Sequence, residues 1–260
     1  MSFLLTSLIF FPEKIFLETP RDFGFEYEDA SIQTGGSGRL HGWFLKSSGG
    51  RGVMLFLHGN AGNISHRLYK AKGWVDRGFS VLLADYRGYG QSEGRIEEGE
   101  DLVRDSRAAL EWLKKKGPYE ASRIVVYGES IGSHPALRLG SEEALAAVIL
   151  EAPFTSLAEI AKIHYPFVPS GLLKGFEFAN EESARKLKAP LFILHGTRDE
   201  ICPYAMGEKL FNLAPGPKEL FRIEGGTHND LPSAAGTDYW HRPASFLEKR
   251  GTGSKWTGLK

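Results

Sequence analysis

The sequence predicts an α/β fold in one domain, a mostly parallel eight-stranded sheet flanked by helices, and three observations carry that prediction. Short runs rich in Val, Ile, Leu and Phe recur at 53–57, 79–84, 124–127, 145–150, 191–194 and 219–223, largely without polar alternation. Such runs suit strands covered on both faces, as in a parallel sheet. Between them lie stretches long enough for crossover helices, such as 97–116 and 234–249. The alternation also fits within 260 residues, and a single core can grow to about 250–300 residues before chains tend to split.

The elements follow in chain order. Residues 1–11, MSFLLTSLIFF, are apolar but too short to span a bilayer, which needs about 20 residues. They have no basic n-region and no small-residue cleavage site before Pro12, unlike a secretory signal. They read either as a short helix packed on the domain and stopped at Pro12, or as an interfacial anchor giving peripheral membrane contact, or as the stub of a longer membrane helix. Residues 1–24 thus precede a domain over 25–249. Within it, 25–34 and 40–46 flank the turn-rich GGSG and read as an antiparallel hairpin at the sheet edge. In 97–116, Leu102, Leu110 and Leu113 stand among charged residues, a helix with one buried stripe. Residues 155–188 separate two strands and carry Pro166 and Pro169. A connection that long reads as a small helical cap. Its aromatics Tyr165, Phe167, Phe176 and Phe178 are the candidate lining of an apolar substrate pocket. The polar, glycine-containing end at 250–260 reads as a disordered tail.

Composition excludes more than it names. With 32 basic and 32 acidic side chains the formal charge is zero, which argues against a general nucleic-acid binder. One cysteine, Cys202, rules out an internal disulfide framework and a cysteine-based zinc cluster. The expectation is a cytoplasmic protein, with membrane association through the first residues as its variant.

The pattern G-x-S-x-G occurs twice, around Ser92 and around Ser130. Chance alone supplies about 0.3 matches in a chain this rich in glycine, so context must decide. The motif works when the serine sits on a strained turn between a strand and a helix. Ser130 follows the run RIVVY and precedes the small-residue stretch IGSHPALRLG, whereas Ser92 lies in the glycine-rich, charged DYRGYGQSEGR. Ser130 is therefore the candidate nucleophile. A serine hydroxyl needs a base within hydrogen-bond reach, and the base needs an orienting acid. Ligand sites in such sheets lie at the carboxyl ends of the strands. Asp199 follows one strand run and His228 the last one, in the order serine, acid, histidine.

The stretches LHGNAGN (57–63), DYRGYGQSEG (85–94), GESIGS (128–133), EAPFTSL (151–157), LHGTRDE (194–200) and GGTHND (225–230) make the chain resemble the α/β-hydrolase superfamily. The resemblance extends over about 25–249. Within the superfamily the chain is similar to a branch of esterases, lysophospholipases and protein depalmitoylases often tethered by an N-terminal membrane helix. Thr227 stands where that family usually has glycine, His134 where small residues are common, and the membrane helix itself is missing or cut short. The resemblance implies a nucleophile elbow at Ser130 and an oxyanion hole made by the backbone N–H groups of Ile131 and Asn60. It also implies that His58 braces the oxyanion loop. His41, His134 and His195 read as structural, Glu129 as a filler of the variable motif position, Cys202 as a buried structural residue, and Glu151 as the rival acid. The expected activity is hydrolysis of carboxylic esters or thioesters, on small-molecule or lipid substrates, with no metal or cofactor. A peptidase or amidase on the same triad, and a non-catalytic binding protein on the same scaffold, are the alternatives.

Overall fold

The computed structural model describes residues 2–35, 38–117, 119–167 and 169–250. The chain opens with helix α1 (Ser2–Ile9), the two-residue strand β1 (Phe11–Pro12), and the pair β2 (Tyr27–Gln33) and β3 (Arg39–Leu45). Then come β4 (Gly52–Leu57), the short β5 (Ala61–Gly62), α2 (Leu68–Val75), β6 (Phe79–Ala84), α3 (Gly99–Lys116), β7 (Ile124–Glu129) and α4 (Ser133–Glu142). The second half holds β8 (Ala147–Glu151), α5 (Leu157–His164), α6 (Asn180–Arg185) and β9 (Leu191–Gly196). It ends with α7 (Tyr204–Leu213), β10 (Lys218–Ile223), α8 (Leu231–Ala235) and α9 (Asp238–Glu248).

Eight strands form one sheet in the order β10-β9-β8-β7-β4-β6-β3-β2. The six from β10 to β6 run parallel, and β3 and β2 join antiparallel at one edge. Each apolar run read from the sequence is one of these strands, and the predicted hairpin is β2–β3. The packing explains why the central runs lack polar alternation. Along β4, Val53, Leu55 and Leu57 pack with Leu110 of α3 and Leu137 of α4, while Met54 and Phe56 pack with Trp74 of α2 and Phe246 of α9. Successive side chains point to opposite faces, and here both faces are core.

Helix α3 is fixed at its start by Asp101, whose Oδ2 accepts from the amides of Glu97 (2.8 Å) and Glu98 (3.1 Å). Lys114, Lys115 and Lys116 fill its last turn, where cations offset the helix dipole. The helix expected over 234–249 is two helices. Gly236, at φ 57°, separates α8 from α9 in a conformation that side-chain-bearing residues avoid.

Between β8 and β9 the chain forms α5, a 3-10 turn at Ser170–Leu173, and α6. Asn180 at the start of α6 ties this segment down: its Oδ1 meets His134 Nδ1 of α4 at 2.8 Å, and its Nδ2 donates to the Phe154 carbonyl at 2.8 Å.

The N-terminal residues form a strap over the loop that follows β4. Strand β1 pairs with β5 in parallel. Asn63 Nδ2 donates to the carbonyls of Glu13 (3.1 Å) and Ile15 (2.8 Å), and the Leu17 amide donates to Ser65 Oγ (3.1 Å). Phe10 is buried against Phe176, whereas Leu8, Phe11, Ile15 and Leu17 are exposed. No helix among the described residues is long and apolar enough to cross a membrane. Apart from Arg250, the tail expected at 250–260 lies outside the described residues.

Candidate active site

Ser130 follows directly on β7 and has φ 51°, a left-handed conformation rare for a residue with a side chain. Its flanking glycines are demanded by contact. A Cβ on Gly128 would lie 2.5 Å from the Gly132 carbonyl oxygen, and one on Gly132 would lie 2.2 Å from the Leu57 carbonyl oxygen. The turn is thus pressed against α4 on one side and the end of β4 on the other, which lifts the serine above the sheet. Ser92 is built into the scaffold instead. Its buried Oγ accepts from the His41 amide (2.9 Å) and donates to the Asp85 carbonyl (2.8 Å).

Loops leaving β9 and β10 bring two further residues to Ser130. His228 Nε2 lies 3.0 Å from Ser130 Oγ, and its Nδ1 lies 2.8 Å from Asp199 Oδ2. Asp199 Oδ1 accepts from the amides of Ile201 (2.9 Å) and Cys202 (2.7 Å). Burial alone would raise the Asp199 carboxyl, but hydrogen bonds from His195 and His228 outweigh it and bring the pKa down to about 2. An ionised Asp199 accepts the proton on Nδ1, which leaves a lone pair on Nε2 facing the serine hydroxyl.

Of the other residues singled out, Ile131 lies in the 3-10 turn Ser130–Gly132 that leads into α4. Asn60 follows β4 by three residues, and its side chain faces the N-terminal strap. Nδ2 donates to the Ile9 carbonyl (2.6 Å) and Oδ1 accepts from Tyr89 Oη (3.1 Å). The four cap aromatics do not line one pocket. Tyr165 and Phe167 are exposed, at 66% and 95%, while Phe176 and Phe178 are buried and packed on each other. Phe178 also lies against His134 and Phe154. Aromatic content on a cap does not say which side chains face inward. Glu151 is engaged away from His228, accepting from Tyr127 Oη (2.6 Å), Tyr239 Oη (2.7 Å) and Lys70 Nζ (2.9 Å). Cys202 is buried in the loop that carries Asp199, and burial pushes its thiol pKa up, so it stays protonated.

His195, a strand-end residue expected to be structural, touches Asp199. Its Nε2–H donates to the Cys202 carbonyl (2.7 Å) and to Asp199 Oδ2 (3.1 Å). Gly207 on α7 makes room for the ring, since a Cβ there would fall 2.3 Å from His195 Nδ1. The spacing of four residues between His195 and Asp199 across a strand end was the available signal.

His58 and Asp85 form a buried pair under the loop after β4. His58 Nδ1–H donates to the Gly59 carbonyl (2.7 Å), and Nε2 lies 3.4 Å from Asp85 Oδ1. Burial lowers His58 to about 3 and raises Asp85 to about 8. The neutral pair therefore keeps its proton on the carboxyl. A carboxyl raised on folding stabilises the protein fully below its unfolded pKa, and that contribution is lost as pH rises through the folded value. His58, lowered on folding, stops contributing pH dependence above its unfolded value near 6.5. Unfolding in urea at pH 7 and 8.5 is expected to show a loss of about 1 kcal/mol, and Asp85→Asn is expected to remove that slope.

Comparison with known proteins places this geometry in context. Residues 49–174 match the family model described as serine aminopeptidase, S33. An uncharacterized protein of Mycobacterium tuberculosis is 39% identical over 204 residues, which cover 78% of this chain and 72% of that protein. The alpha/beta hydrolase domain-containing protein WAV2 of Arabidopsis thaliana is 33% identical over 252 residues, covering 89% of this chain and 82% of WAV2. Among solved structures, an esterase of Pyrococcus furiosus superposes with a TM-score of 0.76 at 24% identity, covering 92% of this chain and 98% of that one.

Proposed function

The chain belongs to the α/β-hydrolase family, and on that premise we propose that it cleaves carboxylic esters or thioesters through an acyl-enzyme on Ser130. The observation that carries the proposal is the relay of 3.0 Å from Ser130 Oγ to His228 Nε2 and 2.8 Å from His228 Nδ1 to Asp199. In the reaction, Ser130 Oγ attacks the acyl carbonyl while His228 takes its proton. Asp199 keeps the imidazole in the reactive tautomer and stabilises the imidazolium. The amides of Asn60 and Ile131 hold the oxyanion, each such donor being worth about 10²–10³-fold in rate. His228 then protonates the departing alcohol or thiol, and a water activated by the same histidine releases the acid.

The substrates are small-molecule or lipid esters. The exposed Leu8 and Phe11 are the contact residues 1–11 would offer a bilayer, and activity rising with acyl chain length on vesicles would support that arm. The matched model is named for a serine aminopeptidase, so amide cleavage on the same triad is the second reading.

Labelling with a fluorophosphonate probe tests the enzyme reading. The expected result is one label on Ser130, and a folded protein that stays unlabelled would make it a binding protein on a hydrolase scaffold. Rates on an ester and its matched anilide separate the two hydrolase readings. The ester is expected to be cleaved much faster, and equal rates would move the assignment to an amidase.

A further inference from the structure

Behind the elbow lies a set of buried charges that the ester reaction does not use. Glu129, the residue before Ser130, is gripped by Arg67 through two contacts, Nη2 to Oε1 at 3.0 Å and Nε to Oε2 at 3.3 Å. The same guanidinium reaches the other way, Nη1 donating to the Ala61 carbonyl at 2.7 Å. Lys70 Nζ adds a contact of 3.4 Å to Glu129 Oε2 and bridges to Glu151 at 2.9 Å. The Arg67 and Glu129 side chains are 11% and 14% exposed. Burial would raise the Glu129 carboxyl, but the cations of Arg67 and Lys70 outweigh it and hold it below the ordinary range.

Three features tie this pair to the two segments that carry the proposed oxyanion donors. Glu129 is two residues from Ile131. Ala61, held by Arg67, directly follows Asn60. Between them Gly59 rests on the pair itself, since a Cβ there would lie 2.9 Å from Glu129 Oε1 and 3.0 Å from Arg67 Nη2. Replacing a buried ion pair by apolar residues of similar volume is often neutral or stabilising, so global stability gives little reason for this one. Formally, Arg67 and Lys70 balance Glu129 and Glu151, so the cluster contributes little net field at Ser130. What it contributes is a fixed distance between the end of β7 and the loop after β4.

We infer that Arg67 is a positioning residue that, through Glu129 and the Ala61 carbonyl, sets the separation of the Ile131 and Asn60 amides. This rests on the ester-hydrolase reading above. A misplacement of about 1 Å at a reacting centre can cost about 10²-fold in rate, and the loss falls on the transition state because the oxyanion exists only there.

The test compares wild type, Arg67→Met, Arg67→Lys and Glu129→Gln for turnover of p-nitrophenyl butyrate and for binding of a trifluoromethyl ketone, which forms an oxyanion on the serine. Arg67→Met is expected to lose about 10²-fold in kcat with KM within about threefold. Its ketone affinity should fall by the same factor as kcat/KM. Arg67→Lys, which keeps the charge but not the fork, should recover part of the loss. If Arg67→Met does not fold, the nearly isosteric Glu129→Gln decides by the same two readouts, with an expected loss of about tenfold. Folded variants with kcat within about twofold of wild type, or with lowered kcat and unchanged ketone affinity, overturn the inference. A wild-type protein that neither turns over ester nor takes the fluorophosphonate overturns the ester-hydrolase reading itself.

Discussion

Ser130→Ala is expected to lower kcat on a p-nitrophenyl ester by about 10⁶-fold while leaving the protein folded. The proposed chemistry passes through a bond to Ser130 Oγ, and a methyl group in its place offers neither nucleophile nor proton. The fold does not depend on that oxygen. The elbow is held by the close approach of Gly128 and Gly132 to α4 and β4, contacts that the substitution leaves alone. The control is the other serine of the same pattern. Ser92→Ala removes the acceptor of the His41 amide and is expected to destabilise by about 1–3 kcal/mol, with turnover per folded molecule unchanged. Steady-state kinetics alongside thermal unfolding read both effects. Activity retained in Ser130→Ala, or lost in a folded Ser92→Ala, would refute the choice of nucleophile.

Asp199→Asn is expected to cost about 10⁴-fold in kcat, for a reason visible in its hydrogen bonds. Oδ1 accepts from two backbone amides and Oδ2 from the two imidazoles. An asparagine must leave its oxygen with the amides of Ile201 and Cys202, because those donors cannot turn. Its NH₂ group then faces His195 and His228, where donors would meet donors. His228 can accept only by moving its proton to Nε2, and that nitrogen then points a hydrogen at Ser130 instead of a lone pair. The loss should appear in kcat far more than in KM. Fluorophosphonate labelling should slow in parallel, since it uses the same base. A variant within tenfold of wild type in kcat would show that Asp199 does not orient His228.

Much of this architecture was legible because parallel strands buried on both faces leave an unbroken apolar run, as at 53–57 and 191–194. That Ser130 stands on a turn leaving a strand, and Ser92 does not, was legible for a related reason, since only Ser130 adjoins such a run. Other features depend on side chains that the chain order keeps apart. Arg67 and Glu129 are 62 positions apart, and neither residue type announces a partner. The strap at 10–17 is too short to show a period, and its bonds run to Asn63, Ser65 and Gly90. The aromatics of 155–188 divide into exposed and buried pairs that composition does not separate, because burial there is decided by packing on Phe10, His134 and Phe154.

The sheet order has a consequence for how the protein fails. Strand β10, which delivers His228, is the edge strand opposite the hairpin. Its residues from Lys218 to Phe221 are only half-buried and Arg222 is exposed, whereas β4 beneath the elbow is buried from Val53 onward. Edge segments with few buried contacts open at a lower free energy than the centre of a sheet. The proposed base therefore hangs from one of the weaker margins of the fold, while the proposed nucleophile follows a strand at its buried centre. Local fraying of that margin would separate His228 from Ser130 with the core still intact, so turnover reports on the rim of the sheet before it reports on the whole.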